Sequence, residues 1–365
     1  MLRVCLTFDY ELFFGENYFS NSEILFSPTK ELIDGIYEKG VSATFFVDVC
    51  SIFQHDKYKE DEYISNFTEQ IKYMTKYNQD VQLHIHSHWL NSIYINGKWD
   101  FDLEHYRIHS YGFENKDSLN VNTIIRNGVK YLTETLTSID PFYKCIAYRA
   151  GGFCLQPHNQ LIKVLYKNGI RVDSSITPNL SYSSERNWYN YQHNIPKENW
   201  YIGTDFEWWE DAKISENSLY EIPIATSNKN PFLFCIKRLL TPEKIKFNLG
   251  IKKGTYIGIS QKQNFIQKIK SIYNYIAGYT TISMDGNQAE FIYEMIYRFY
   301  KKNNCDKKDY TIALIGHPKL SSSVYVKNIK YLIDLINNSK EMNIEIISIF
   351  DEYQRIQKIK RSDKF

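Results

Sequence analysis

Three histidines stand at alternate positions in VQLHIHSHW: His84, His86 and His88. Imidazole both binds transition metals and exchanges protons near neutrality. His84 and His86 form an H-x-H pair, the spacing of a strand-borne metal site. His84 and His88 form an H-x-x-x-H pair, the spacing of a site where a strand runs into a turn. Two carboxylates, Asp9 and Glu11, stand in TFDYE near the N-terminus. One residue apart, they project to the same side of an extended chain. Together they can hold a divalent cation, or one can hold it while the other takes a proton. Histidine with carboxylate ligands suits Zn²⁺ or a similar transition metal. A lone carboxylate there is more often a cap or loop residue, and a lone histidine a satisfied core residue. Three histidines within five residues, on one side of an apolar strand, do not fit that bland reading.

The elements that must position these residues alternate between two periods. LRVCLTF, VSATFFVDV, VQLHIH, CIAYRA, IRVDSSI, LYEIPI, YTIALIGH and IEIISI read as strands. Ser27-Pro28 opens a helix that Gly40 stops, and Ile125, Val129, Leu132 and Leu136 give helical spacing over 122–137. Further helices are expected over 156–168, 288–301 and 327–337. The alternation predicts an α/β fold with a parallel sheet, and eight strand candidates suit a barrel or an incomplete one. In such barrels chemistry gathers at the C-terminal ends of the strands. Asp9, His84, Arg149, Asp173 and His317 each lie at or just past a strand's end, a shared position that scattered core residues have no reason to adopt.

The chain of 365 residues carries a formal net charge of +2, which points to neither a nucleic-acid binder nor a strongly acidic protein. Cys5, Cys50, Cys145, Cys154, Cys235 and Cys305 are scattered and form no C-x-x-C pair, so no zinc knuckle or redox motif is expected. A strand begins almost at the first residue, leaving no room for a signal peptide, and no apolar run approaches the roughly 18–20 residues of a membrane span. The expected address is cytoplasmic. One elaborated domain over 1–365 is expected, with insertions at about 180–215 and 226–285. Within the second, Glu243 is the only acid between Lys237 and Lys270. That basic run reads as a solvated helical face, or as a peripheral contact for a lipid-phosphate substrate, a nucleotide-diphosphate substrate or an anionic surface.

An ordered set of motifs resembles the NodB-like polysaccharide deacetylases, carbohydrate esterase family 4. TFDYE stands where that family has T-F-D-D, and ATFFV (43–47) resembles its second strand. HIHSH matches H-S/T-x-x-H in spacing. RAGGF (149–153) resembles R-x-P-Y, DSS (173–175) resembles D-x-S-W, and LIGH (314–317) resembles the closing L-x-x-H. Amidohydrolase and PHP-type barrels carry H-x-H on their first strand, whereas here it lies on the third.

The resemblance implies a distorted or incomplete (β/α)7–8 barrel and metal-dependent removal of acetyl groups from N-acetylated sugars in surface-polysaccharide synthesis. It implies Asp9 as general base, His317 as general acid, and Arg149 and Asp173 as the residues that orient them. It selects His84 and His88 as metal ligands. Tyr10 replaces the family's second Asp and is a poor zinc ligand, so Glu11 takes that role, with Asp9 the other carboxylate to consider. Ile85 follows the first motif histidine where Ser or Thr is usual, and the DSS segment lacks its Trp; His86 stays open as a replacement for His88. In TDFEWWED, Trp208 or Trp209 is a candidate platform for a sugar face, or else core filling beside a solvated charge run. The competing functions are a same-fold hydrolase of a non-sugar C–N bond and a retired, glycan-binding barrel. Retention of Asp9, His84, His88 and His317 weighs against retirement.

Overall fold

The computed structural model describes residues 1–113, 119–192, 199–203, 217–228, 253–255 and 278–362. Its strands are β1 (Leu2–Tyr10), β2 (Thr44–Asp48), β3 (Asp80–Ile85), β4 (Ile93–Ile95), β5 (Lys98–Asp100), β6 (Ala147–Ala150), β7 (Val172–Asp173), β8 (Ser181–Ser183) and β9 (Trp188–Asn190). They continue with β10 (Tyr201–Ile202), β11 (Leu219–Glu221), β12 (Thr226–Asn228), β13 (Tyr279–Thr281), β14 (Tyr310–Gly316) and β15 (Ile344–Ile346). The main sheet runs β10-β11-β7-β6-β3-β2-β1-β14, with β15 also against β1. Its pairings are parallel except for β10 with β11.

The sheet curls until its two sides meet. Ile224, just beyond β11, bridges Ala313 of β14, and Ala225 N donates to Ala313 O at 2.8 Å. Ala313 N returns a bond to Pro223 O at 2.9 Å, and Ser283 bridges Ile315 further along β14; these short contacts close an incomplete barrel, the α/β architecture that the alternation of periods predicts. The lumen is filled by Cys5, Phe46, Ala147, Val172, Ile224, Ala313 and Ile315, above Ile349. The opposite face of the sheet packs against helices. Asp48 caps the helix Val49–Lys57 by accepting from Cys50 N, and Asn120 caps the helix Val121–Leu136 with a capping box.

The expected helices appear as Ser27–Tyr37, Val121–Leu136, His158–Lys167, Ala289–Lys302 and Ser323–Asn337. Val49–Lys57, Asp61–Lys76 and Ile349–Ser362 are further helices between or after strands. Within the stretches read as insertions, β8 and β9 form a hairpin, and β12 pairs antiparallel with β13. Trp208, Trp209 and most of the basic run from Lys237 to Lys270 lie outside the described residues. Among the described residues no helix is long and apolar enough to cross a membrane.

Candidate active site

The rim at the C-terminal ends of the strands gathers most of the residues singled out by type and spacing. Along β1, odd-numbered side chains face the lumen, so alternation carries Asp9 and then Glu11 over its mouth. Both are buried. From β3, two strands away, His84 and then His86 arrive on the same side. Glu11 Oε2 lies 3.2 Å from His84 Nε2 and 2.6 Å from His86 Nε2. Glu11, His84 and His86 thus offer three ligand atoms that all lie within 4.8 Å of one another.

The donor set suits a divalent transition metal: two imidazole nitrogens and one carboxylate oxygen. His84 carries the second requirement of a metal-binding histidine. Its Nδ1 lies 2.8 Å from the Arg149 carbonyl oxygen, which can only accept, so Nδ1 holds a hydrogen and Nε2 is the nitrogen that would bind a metal in place of a proton. Gly151 makes room for the other ring. A Cβ there would stand 2.8 Å from His86 Nδ1 and 2.4 Å from the Ile85 carbonyl.

His88 lies elsewhere, and this departs from the expected ligand set of Glu11, His84 and His88. The strand ends at Ile85, and Ser87–Asn91 winds into a 3₁₀ turn. Alternation no longer governs the direction of His88. Its ring stacks on Tyr106 at 5.6 Å and meets Phe14 and Phe101 edge-on, and neither ring nitrogen has a partner among the described residues.

Asp9 and His317 flank the cluster. Arg149 Nη1 donates to Asp9 Oδ1 at 2.6 Å, while its Nε and Nη2 are held by Ser174 O and Oγ. Burial alone would raise the Asp9 pKa, but Arg149, with His84 and His317, outweighs it and holds the carboxyl below its ordinary value. His317 Nε2 stands 3.9 Å from Asp9 Oδ2 and 3.7 Å from Glu11 Oε1. The His317 side chain remains 21% exposed while Asp9, Glu11, His84 and His86 are buried, so it marks the side on which the cluster opens to solvent.

The partner of His317 is Asp285, not Asp173. Asp285 Oδ2 lies 2.6 Å from His317 Nδ1, and its Oδ1 accepts from the His317 backbone N–H at 2.9 Å. Burial opposes a charged His317, yet Asp285 wins and raises its pKa. Asp173 is turned away by strand parity. Val172 pairs with Ala147 toward the lumen, so Asp173 pairs with Tyr148 and Glu221 on the other face. There it accepts from Ser175 N and Oγ, and burial raises its pKa.

Two further residues join the site from positions that spacing alone did not single out. Lys319, two residues past His317 in HPK, is fully buried. Its Nζ donates to Glu11 Oε1 at 2.6 Å and to Leu12 O at 3.1 Å, with the Phe13 and Phe14 rings about it. Despite burial, Lys319 and the two histidines hold the Glu11 pKa well below its usual range. Asp48 ends β2 beside His84; its Oδ1 accepts from His86 N at 3.1 Å, and burial raises its pKa to about 7. Only one of the two histidines on Glu11 favours a proton in the absence of metal. Burial opposes it at His84, but Asp9 and Glu11 lift that pKa to about 9, whereas burial prevails at His86 and takes it to about 4.

No protein-family model matches this chain, and no curated protein matches it. Solved structures align with it at low identity. A Mycobacterium smegmatis protein assigned to the polysaccharide deacetylases is 12% identical over 98% of this chain and 91% of its own, with a TM-score of 0.47. The catalytic domain of a peptidoglycan N-acetylglucosamine deacetylase from Eubacterium rectale is 10% identical over 95% and 88%, with a TM-score of 0.37. A carbohydrate esterase family 4 pseudoenzyme from Bacillus anthracis is 9% identical over 96% and 64%, also with a TM-score of 0.37.

Proposed function

We propose that this chain is a metal-dependent hydrolase that removes acetyl groups from N-acetylated sugars of a glycan. The observation that carries the reading is convergence on one site: a Glu–His–His cluster, a carboxylate whose pKa Arg149 lowers, and a histidine whose pKa Asp285 raises. Glu11, His84 and His86 would hold a divalent transition metal, with zinc favoured by the donor set. Such an ion, when bound, supplies a Lewis acid for the acetyl carbonyl and lowers the pKa of water. The chain's own residues do the rest. Asp9, an ionised carboxylate, accepts the proton of the attacking water. His317 delivers a proton to the departing amine, the poor leaving group of an amide. Arg149 fixes the direction of Asp9, and Asp285 fixes the orientation of His317 and favours its charged form.

A second reading, a retired barrel that binds a glycan without turnover, is favoured by one feature. Lys319 already supplies Glu11 with a cation. Metal analysis of the purified protein, together with acetate release from N-acetylhexosamine oligomers, separates the two. The proposed activity gives a metal-bearing protein whose acetate release stops with chelation. His317→Ala then keeps the metal and loses roughly 10²–10⁴-fold in amide deacetylation, the usual worth of positioned acid catalysis. A protein that takes up no metal and releases no acetate supports retirement. Release from N-acetylated amines but from no sugar points to a non-sugar C–N bond.

A further inference from the structure

Two buried carboxyl groups meet on the face of the sheet away from the lumen. Asp173 of β7 and Glu221 of β11 are register partners in parallel strands, so their side chains leave the same face from backbones about 4.8 Å apart. Both are 0% exposed, and the two side chains are in hydrogen-bond contact with each other. Ionised carboxylates only accept, so that contact needs a proton. The surroundings say where it sits. Asp173 already accepts from Ser175 N at 3.0 Å and from Ser175 Oγ at 2.8 Å, donors that favour its ionised form. Glu221 Oε1 accepts from Ile176 N at 3.2 Å, whereas Oε2 meets no donor among the described residues. A hydrogen on Glu221 Oε2, donated to Asp173, satisfies both groups.

The neighbours do not remove the need for that proton. Arg149 favours the ionised form of both groups, but its guanidinium is held by Asp9 and Ser174. The other titratable groups that face the pair are phenols, Tyr148 of β6 and Tyr191, and burial keeps both neutral. Burial therefore prevails at the pair. It raises the Asp173 pKa and, with the Asp173 charge beside it, lifts Glu221 well above the usual carboxylate range. The position gives the proton a mechanical consequence. Two register pairs hold β11 to β7, Tyr220 with Val172 and Glu221 with Asp173. Three residues beyond Glu221, Ile224 bridges Ala313 of β14 and helps to close the barrel. Two negative charges at this joint would push β11 away from β7, and the closing segment with it.

We propose that Asp173 and Glu221 share a single proton, and that this proton latches β11 to β7 as a pH-sensitive joint in the barrel wall. The latch is independent of the reaction at the rim. The test compares the full chain with Glu221→Gln, whose side-chain amide donates to Asp173 at any pH. Equilibrium urea unfolding at pH 6, 7 and 8 reads the folded-to-unfolded ratio of each protein. An unfolded glutamic acid, with a pKa of about 4.3, has already lost its proton in this range. A proton kept only by the folded state therefore lowers the wild-type ratio about tenfold per pH unit, until the folded pair itself releases it. Asp48 and Asp80, whose pKa values burial also raises, contribute alike to both proteins and cancel. The expected result is a wild-type stability that falls, relative to Glu221→Gln, by at least about tenfold between pH 6 and pH 8. A constant or rising relative stability overturns the latch. Carboxyl ¹³C labelling of glutamate alone tests the wild type by nuclear magnetic resonance, should Glu221→Gln fail to fold, and leaves Asp48 and Asp80 silent. One glutamate carboxyl still protonated at pH 7 is expected, and a spectrum in which every glutamate is ionised overturns the proposal.

Discussion

Lys319→Met tests the charge balance at the heart of the site. Lys319 Nζ and Glu11 Oε1 are 2.6 Å apart, and both residues are buried. At an effective dielectric constant of about 20 their attraction is about 6 kcal/mol, most of which offsets the loss of hydration of two charges. Removing one partner strands the other, and buried pairs broken in this way lose about 3–5 kcal/mol. Glu11 keeps His84 and His86 as partners, so the loss is set at the lower end, about 3 kcal/mol, for the metal-free protein. A metal should reverse the sign of the effect. At about 6 Å, the reach across one carboxylate, a unit and a double positive charge repel by about 1.4 kcal/mol even at the dielectric constant of water. Loss of Lys319 is therefore expected to tighten metal binding by at least about tenfold. Competition against a chromophoric chelator reads the affinity, and melts with and without metal read the stability. A variant that binds metal more weakly than the wild type, with an unchanged metal-free melt, would refute this reasoning and make Lys319 a support for Glu11 geometry rather than a competing cation.

Two predictions address the other departures from motif spacing. His86→Ala should abolish metal binding while His88→Ala retains it, and Gly151→Ala should weaken binding as well, because its new methyl group collides with His86; metal stoichiometry after dialysis decides, and loss in His88→Ala alone would restore the H-x-x-x-H reading. Asp285→Asn removes the charge that raises the His317 pKa. A general acid works only while protonated, so activity falls as pH rises through that pKa, and the variant should shift this alkaline limb of kcat/KM to lower pH. Asp173→Asn should leave the limb in place, and a shift in Asp173→Asn without one in Asp285→Asn would return the orienting role to Asp173.

What could be read from the sequence follows strand parity, and so do the departures. Asp9 and Glu11 share a face because β1 is extended throughout, and the same rule applied to β3 selects His84 with His86. The H-x-x-x-H spacing assumes a particular turn after the strand, and the turn here carries His88 into the aromatic layer of Phe14, Phe101 and Tyr106 instead. Parity also explains Arg149 and Asp173: the first lies on the lumen side with Ala147, and the second pairs with Tyr148 on the opposite side. Asp285 obeys no local rule. It sits in a stretch that reads as an insertion, and it reaches His317 because Ser283 bridges Ile315 of β14, a pairing between segments whose spacing leaves no periodic trace. Lys319 stands two residues past His317, but a 3₁₀ turn over Pro318–Leu320 sets its direction, and the buried ammonium finds its partner in Glu11 across the rim. The residues on long strands are therefore predictable in type and direction, whereas Asp285 and Lys319 become functional candidates only through partners on other elements, 32 and 308 residues away.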